Sequence, residues 1–289
     1  MGMTPASNYL GRMPTSQAPV TTIRPPRRWA PLDVREYIGA YELLYFLVLR
    51  NLKLRYKQTL LGAAWAVLQP LLTMAVFTVV FGRLARLGSD GLPYEVFALA
   101  ALVPWTYFGT ALAQAGNSLV EQHQLLTKVY FPRLLLPLAA VLAGLVDLVI
   151  SFVMLLVVLA WYGIEPSVRL LVAPGFVLLA IAAAFAPGLW LAAFNVRYRD
   201  VRYIIPFLVQ IWLFATPVAY SGSLVPERWR PLYGLNPMVA VVDGFRWMIA
   251  PAAAFPATEL AAAALAVALV LLTGLFVFRR MEQSFADVV

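Results

Sequence analysis

The stretch LVLRNLKLRYKQTLLGAAWAVLQPLLTMAVF, Leu47 to Phe77, decides the fold class of this chain. Within it, a cluster of cations stands directly before an apolar run that continues to Phe81. These cations are Arg50, Lys53, Arg55 and Lys57. Basic residues that flank a membrane span stay on the cytoplasmic side, so the pattern indicates a first span entered from the cytoplasm. The spacing of Arg50, Lys53 and Lys57 also places all three on one face of a helix.

The composition indicates an integral membrane protein and excludes several kinds of metal and catalytic site. Of the 289 residues, 62% are hydrophobic and 12% charged, and the mean hydropathy is +0.79, far from soluble proteins. The absence of cysteine excludes disulfides and thiolate metal ligands. The single histidine, His123, excludes a histidine cluster, so we expect no metal site and no catalytic triad.

Three regions follow one another along the chain. Residues 1–30 are rich in Pro, Ser, Thr and Arg and predict a disordered cytoplasmic tail. Residues 31–58 open with a capping-box pair, Asp33 and Glu36, and are too charged to span, so they predict an amphipathic helix in the membrane interface. Residues 59–289 hold the predicted transmembrane domain.

Six segments of residues 59–289 approach the roughly 20 apolar residues that a span needs. They are Leu60–Phe81, Tyr94–Ala115, Leu134–Trp161, Leu170–Phe194, Tyr203–Tyr220 and Ala257–Phe278. Between the last two, Pro226, Pro231, Gly234 and Pro237 interrupt a partly apolar segment. Proline breaks a helix, so this segment predicts two short re-entrant helices on the outer side rather than a span.

The distribution of charge predicts the orientation. With both termini in the cytoplasm, the inside segments hold 16 of the 22 Lys and Arg residues. The opposite orientation would reverse this ratio. The sequence therefore predicts a multi-pass protein of a bacterial cytoplasmic (inner) membrane with six spans and cytoplasmic termini.

Several motifs of enzymes are missing. No Gly-Lys dipeptide occurs, so the chain lacks a phosphate loop of the Walker type. No D-x-D pair occurs, which disfavours a metal-dependent glycosyltransferase. Asp147 is the ionisable residue that lies well inside a predicted span. It is either a structural group paired between helices or a functional one, and a single carboxylate gives little support to an ion-coupling relay.

Three predicted spans each carry a stripe of amides, hydroxyls and aromatic rings at helical spacing. The members of these stripes are Trp65, Gln69, Thr73 and Phe77; Tyr107, Thr110, Gln114 and Asn117; and Tyr203, Phe207, Gln210 and Phe214. Amides bind sugar hydroxyls, and flat rings receive the apolar faces of pyranoses, so the stripes suit a glycan conduit. The alternative is polar contact between helices with ordinary aromatic packing.

Five strings resemble the permease subunits of ABC transporters that export polysaccharides, the Wzm-like O-antigen and capsule exporters and the related teichoic-acid exporters. They are RYKQTLLGAAWAVLQPLL, LLTKVYFPRLLLPLA, FNVRYRDVRYIIPF, LNPM and the final FRRMEQSFADVV. The resemblance covers residues 37–289. It implies six spans, an interfacial helix and two gate helices before the last span.

The resemblance also implies partners. Such permeases act as homodimers with two copies of a separate ATPase subunit, which binds ATP and Mg²⁺, so this chain needs no cofactor. The substrate is a glycan on polyprenyl diphosphate, membrane lipids surround the protein, and no nucleic acid is expected. The coupling helix that would dock on the ATPase corresponds to residues 121–132. Its predicted contact residues are Glu121, His123, Leu125, Leu126, Lys128 and Tyr130.

Two sets of residues are then predicted to meet the substrate. Those predicted to bind the diphosphate are Arg50, Lys53, Arg55, Lys57, Arg197 and Arg199. Those predicted to line a glycan channel are Trp65, Gln69, Thr73, Phe77, Tyr107, Gln114, Phe207, Gln210 and Phe214. A topology signal alone would also explain the cations.

The sequence is also compatible with other functions. The chain could export teichoic acid or another cell-surface glycan, or a drug or lipid. A membrane-embedded transferase acting on a polyprenyl lipid would need a cluster of acids or histidines near the interface, and none is visible. A purely structural scaffold would not need polar stripes in three spans.

Overall fold

A computed structural model describes residues 39–57, 64–128, 131–250, 254–282 and 285. Within these residues the secondary structure is helical and contains no strand, which confirms the all-α class. The predicted tail, the predicted capping pair Asp33 and Glu36, and Tyr130 of the predicted coupling helix lie outside the described residues.

The α-helices of the described residues are numbered here in chain order. They are α1 Tyr41–Tyr56, α2 Ala64–Phe77, α3 Tyr94–Glu121, α4 His123–Lys128, α5 Leu135–Ala143, α6 Leu145–Trp161, α7 Ala173–Arg197, α8 Val201–Phe214, α9 Arg230–Gly234, α10 Pro237–Ile249 and α11 Ala257–Glu282. A π-helix, Thr78–Leu84, continues α2, and a 3₁₀-helix, Val168–Val172, precedes α7.

Five helical segments of the described chain are long and apolar enough to cross a membrane. They are Ala64–Leu84, Tyr94–Glu121, Leu135–Trp161, Val168–Arg197 and Ala257–Glu282. Each overlaps a span predicted from the sequence. The third is not one helix, because the chain changes from α5 to α6 at Gly144.

The fifth predicted span, Tyr203–Tyr220, is helical only as far as Phe214. With a rise of about 1.5 Å per residue, the 14 residues of α8 extend about 21 Å, against a hydrocarbon thickness of about 30 Å. The helix ends three residues before Pro217, which cannot continue it. The Asn236 side-chain amide donates to the Ala215 carbonyl at 3.1 Å and to the Thr216 hydroxyl at 3.0 Å.

The segment predicted to hold two short helices contains α9 and α10. Asn236 caps α10, because its side-chain oxygen accepts a hydrogen bond from the Met238 backbone N–H at 3.1 Å. Pro237 occupies the first turn of α10, where proline is tolerated since that N–H has no partner within the helix.

Helix α3 lies at the centre of the bundle, and it packs against α7, α5, α6, α10 and α2. Small residues let these helices approach closely. A Cβ atom added to Gly188 of α7 would lie 2.8 Å from the Ala115 Cβ of α3, so the contact requires glycine. One at Gly116 would lie 2.7 Å from Ile205 of α8. The buried face of α3 therefore fixes the positions of α7 and α8.

A second apolar cluster joins α1 to the bundle. Leu47 of α1, Leu126 of α4 and Phe278 of α11 are buried within it, and α1 packs against α5. This packing holds α1 beside the end of the bundle where α3 ends. The position of α1 is what brings its basic residues close to the membrane helices.

Candidate functional site

A cleft of about 260 Å³ lies between α2, α3 and α6, with the last turn of α1 at its edge. We call it the polar cleft. Its polar and aromatic lining residues are Arg55, Tyr56, Trp65, Gln69, Thr106, Tyr107, Thr110, Gln114, Asp147 and Ser151. Five of them, Arg55, Trp65, Gln69, Tyr107 and Gln114, belong to the predicted substrate-contacting sets.

Helical periodicity explains why these residues meet. Thr106, Thr110 and Gln114 are spaced by four along α3, so they share one face of that helix. Asp147 and Ser151 share a face of α6 in the same way, as do Trp65 and Gln69 on α2. The spacing determines each stripe, and the packing of three helices joins the stripes in one cleft.

Asp147 is paired within the chain. Its carboxylate accepts hydrogen bonds from the Arg55 guanidinium and from the Tyr56 hydroxyl, and both donors lie at the end of α1. The ion-pair side chains are 20% exposed for Arg55 and 24% for Asp147. A carboxylate in an apolar helix is costly unless a cation and hydrogen bonds satisfy it.

The Tyr56 hydroxyl remains a donor at neutral pH. Burial, together with the hydrogen bond to the Asp147 carboxylate, raises the pKa of Tyr56 to about 12. The second guanidinium nitrogen of Arg55, Nη2, is buried and makes no hydrogen bond within the described residues. It is therefore an unused donor at the edge of the polar cleft.

The hydroxyls of the cleft are mostly committed to the helix backbones. The Tyr107 hydroxyl donates to the Val141 carbonyl at 3.2 Å, and the Ser151 hydroxyl donates to the Ala66 carbonyl at 2.8 Å. Gly144 makes room for the Tyr107 ring, since an added Cβ would lie 3.1 Å from Tyr107 Cε2. These bonds join α3 to α5 and α6 to α2.

The amides of Gln69 and Gln114 are different, because neither is in a hydrogen bond with any part of the chain that the structure describes. Both line the polar cleft, where each offers an acceptor and two donors. Trp65 lies on the same wall and is 51% exposed. The cleft thus combines free amides with an accessible aromatic ring.

The four cations of the opening stretch separate into two groups. Arg50, Lys53 and Lys57 line one groove of α1, together with Phe46, Leu49 and Leu54. We call it the α1 groove. Arg55 lies on another face and pairs with Asp147. Arg50 also donates to the Gln122 side chain at 2.9 Å, so α1 contacts the chain between α3 and α4.

Arg197 and Arg199 lie elsewhere. Both are exposed near the end of α7, where the Arg197 guanidinium lies 5.6 Å from the centre of the Tyr198 ring. The Arg199 carbonyl accepts a hydrogen bond from the Arg202 side chain at 3.1 Å. Neither residue lines the polar cleft or the α1 groove. The structure therefore does not bring all six predicted diphosphate ligands together.

The predicted channel residues are also divided. Phe207, Gln210 and Phe214 share an exposed face of α8 and do not line the polar cleft. On α2, the Thr73 hydroxyl donates to the Gln69 carbonyl at 2.9 Å, and Phe77 packs on Phe81 with ring centres 5.2 Å apart. Two of the three stripes thus contribute to one cleft, and the third forms a separate surface.

The described part of the predicted coupling segment has an exposed and a buried side. Glu121 and His123 are exposed, whereas Leu126 is buried in the cluster that also contains Leu47. Leu125 packs against the edge of that cluster. The apolar residues of α4 therefore hold it to the chain itself, and the polar residues are the accessible ones.

Sequence reasoning missed Tyr56, Thr106 and Ser151 as cleft residues. Ser151 could have been found, because it follows Asp147 by four residues and so shares its helix face. Thr106 precedes Thr110 by the same interval. No local pattern marks Tyr56, since its contact with Asp147 depends on where the packing of α1 on α5 places the end of α1.

A buried arginine organises the segment before α10, and sequence reasoning missed it as well. The Arg246 guanidinium donates to the Val218 carbonyl at 3.0 Å and lies 3.4 Å from the centre of the Phe97 ring. Its distance to the Asp243 carboxylate is 3.9 Å. Nearby, the Ser221 hydroxyl donates to Asp90 at 2.6 Å. These contacts join α3, α10 and the loop after α8.

Comparison with known proteins agrees with the family resemblance. The O-antigen export system permease protein RfbA of Myxococcus xanthus is 34% identical over 257 residues, covering 88% of this chain and 98% of that protein. RfbA of Klebsiella pneumoniae is 26% identical, covering 71% of this chain and 79% of its own length. The polysialic acid transport protein KpsM of Escherichia coli is 22% identical, covering 82% and 93%.

A family profile covers most of the described helices. The profile described as ABC-2 type transporter matches residues 42–250, from the start of α1 to the end of α10. The predicted resemblance is thus confirmed at the level of the family. This chain belongs to the membrane-protein family of ABC-2 type transporters.

Proposed function

We propose that this chain is the permease subunit of an ABC transporter that exports a lipid-linked polysaccharide across the bacterial inner membrane. The substrate class is an O-antigen-like glycan carried on polyprenyl diphosphate. The observation that carries this proposal is the 34% identity to an O-antigen export permease, extending over 98% of that protein. The free amides and exposed indole of the polar cleft agree with a sugar substrate.

Surface display of the glycan tests this function. Deleting the gene in its own host should abolish the surface polysaccharide while lipid-linked glycan accumulates on the cytoplasmic side. A plasmid-borne copy should restore display. Normal display in the deletion strain, with no second permease gene, would contradict the proposal.

ATP hydrolysis in a separate subunit drives the proposed export. The absence of a Gly-Lys dipeptide means that a Walker-type phosphate loop has to come from a partner, which would bind ATP and Mg²⁺. Two copies of that ATPase would dock around α4, where Glu121 at the end of α3 and His123 at the start of α4 are accessible. The polar contact of Arg50 with Gln122 would link α1 to the same docking region.

The transporter is proposed to be a homodimer with six spans in each copy, both termini in the cytoplasm, and re-entrant helices α9 and α10. In this arrangement α8 and residues 215–220 together form the fifth span. A glycan chain needs a continuous conduit, and a cleft of 260 Å³ is too small to be one. The exposed faces of α2 and α8, which include Trp65 and Phe207, would meet across the dimer to form it.

The lack of cysteine makes the dimer easy to test. A single Phe207→Cys variant should be cross-linked between two copies in the membrane by a bismaleimide long enough to span a glycan channel, because the α8 faces would be opposed. Leu272→Cys is a matched control, since Leu272 of α11 is 66% exposed against 64% for Phe207. Cross-linking of the control alone, or of both variants equally, would contradict this interface.

The α1 groove is the proposed landing site for the diphosphate. Arg50, Lys53 and Lys57 present three cations beside exposed apolar side chains, which suits a phosphate group joined to a lipid. An orientation signal would depend on total charge and not on position. The test therefore moves the charges by one or two positions along α1 while their number stays constant. Lost export with unchanged topology would support the landing site, and unchanged export would contradict it.

A further inference from the structure

We propose that the polar cleft binds one neutral sugar ring of the exported glycan, with Trp65, Gln69 and Gln114 contacting the ring and the Arg55–Asp147 pair selecting its hydroxyls. This inference rests on the proposed function and adds to it a recognition site within each single chain. It adjoins, at Trp65, the conduit proposed between two copies, and it is separate from the α1 groove.

The size of the cleft sets what can enter. Small-molecule pockets in proteins typically measure about 300–1,000 Å³, and the polar cleft holds about 260 Å³. This volume suits one ring and excludes a folded chain of several sugars. The open side at Trp65 would let the remainder of the glycan continue outward, since that indole is about half exposed.

The unused polar groups of the cleft match a polyol. The amides of Gln69 and Gln114 make no hydrogen bond within the described residues. Together they supply donors and acceptors, and the Asp147 carboxylate adds acceptors. A sugar hydroxyl both donates and accepts, so it can satisfy either type of group. An acyl chain could satisfy none of them, which would make a lipid tail a costly occupant.

The charge of the cleft argues against a phosphate. The Arg55 guanidinium and the Asp147 carboxylate compensate each other, and the carboxylate would repel an anion. The α1 groove, by contrast, contains three cations and no acid among its lining residues. The structure therefore separates a neutral polar site from a cationic one, and these correspond to the two chemical parts of a glycosyl diphosphate.

The indole of Trp65 provides the apolar contact that a pyranose ring needs. Aromatic faces pack against the C–H side of sugars, while the hydroxyls at the ring edge reach polar side chains. Trp65 and Gln69 are one helical turn apart on α2, so the indole and one amide lie on the same wall. Gln114 of α3 faces the cleft from a different helix, which allows contacts on two sides of a ring.

Direct binding to the full-length chain in lipid nanodiscs tests this site without transport. The probes are the methyl glycosides of glucose, mannose, galactose, N-acetylglucosamine and rhamnose, measured by saturation-transfer NMR and titration calorimetry. At least one probe should bind. Gln114→Leu should weaken that binding about tenfold or more, because a sugar hydroxyl would lose its partner. Gln69→Leu, at an exposed position, should have a similar effect without affecting folding.

Thr273→Val provides the matched control, because Thr273 is exposed on α11 and, among the described residues, its hydroxyl bonds only the helix backbone. Its binding should equal that of the wild type. The inference is wrong if none of the five probes binds, or if both glutamine variants bind as well as the control. Because glycan display is measured separately in cells, normal display without probe binding would overturn this site and leave the proposed function standing.

Discussion

The pairing of Arg55 with Asp147 predicts a strong energetic coupling between α1 and α6. Replacing Asp147 by leucine leaves the guanidinium of Arg55 and the hydroxyl of Tyr56 without their acceptor. Breaking a fully buried ion pair costs about 3–5 kcal/mol, and an exposed pair contributes about 0–1 kcal/mol. Both side chains are about one-fifth to one-quarter exposed. We therefore expect the free energy of unfolding to fall by about 2 kcal/mol.

The double variant Arg55→Met with Asp147→Leu removes both charges and should lose far less than the sum of the two single variants. We expect the difference to be about 2 kcal/mol, within the range found for residues in direct contact. The assay is thermal unfolding of the purified chain in nanodiscs, followed by tryptophan fluorescence. For a protein of this size 1 kcal/mol corresponds to about 2–4 °C, so each single variant should unfold about 4–8 °C lower.

Glu165→Gln serves as the control, because Glu165 is exposed in the loop before α7 and no hydrogen bond or ion pair joins its side chain to the described residues. Its unfolding temperature should not change measurably. If the double variant loses as much stability as the two single variants added together, Arg55 and Asp147 are not coupled. The placement of α1 against α6 would then be wrong.

Three further outcomes are expected. Gly244→Ala should destabilise the chain by about 1–3 kcal/mol in the same unfolding assay, because the added Cβ would lie 2.1 Å from the Phe176 ring. Adding Phe176→Leu should restore part of the lost stability, and the absence of any rescue would contradict the contact. Changing the exposed residues with Glu121→Lys and His123→Glu should reduce co-purification with the ATPase while the permease still inserts, and unchanged capture would contradict docking at α4. The purified chain alone should not hydrolyse ATP in a phosphate-release assay, whereas turnover by a preparation free of ATPase subunits would contradict a separate motor.

Much of the membrane architecture is visible in the sequence, because hydropathy and charge are local properties. The helix predicted to begin at Tyr94 does begin there, and the third predicted span ends at Trp161 as expected. The division at Gly144 was not predicted. Its neighbours are as apolar as the rest of the span, so hydropathy does not reveal the break. At this position the Tyr107 ring approaches closely, since a Cβ added to Gly144 would lie 3.1 Å from Tyr107 Cε2.

The length of α8 shows a different limit of sequence reasoning. Residues 203–220 are apolar enough to predict a span, yet the helix ends at Phe214. The side-chain amide of Asn236, some twenty residues later, donates hydrogen bonds to the Ala215 carbonyl and the Thr216 hydroxyl. The local sequence does mark this end, because Pro217 lies three residues after Phe214 and proline is common just beyond a helix C-terminus. What the local pattern does not show is that Asn236 bonds the groups that follow the helix. The same asparagine caps α10, so one residue forms hydrogen bonds at two helix boundaries.

The sequence by itself determined that this chain is a helical membrane protein of an exporter-like family, and which residues share each helix face. Arg50, Lys53 and Lys57 lie in one groove because a helix repeats every 3.6 residues. Only the tertiary structure decided what each face meets. Arg55 pairs with Asp147 across 92 positions of sequence, and the stripes of α2 and α3 share a cleft that excludes the stripe of α8. The reason is that periodicity defines the direction of a side chain relative to its own helix, whereas its neighbours depend on how the small and large residues of several helices pack together.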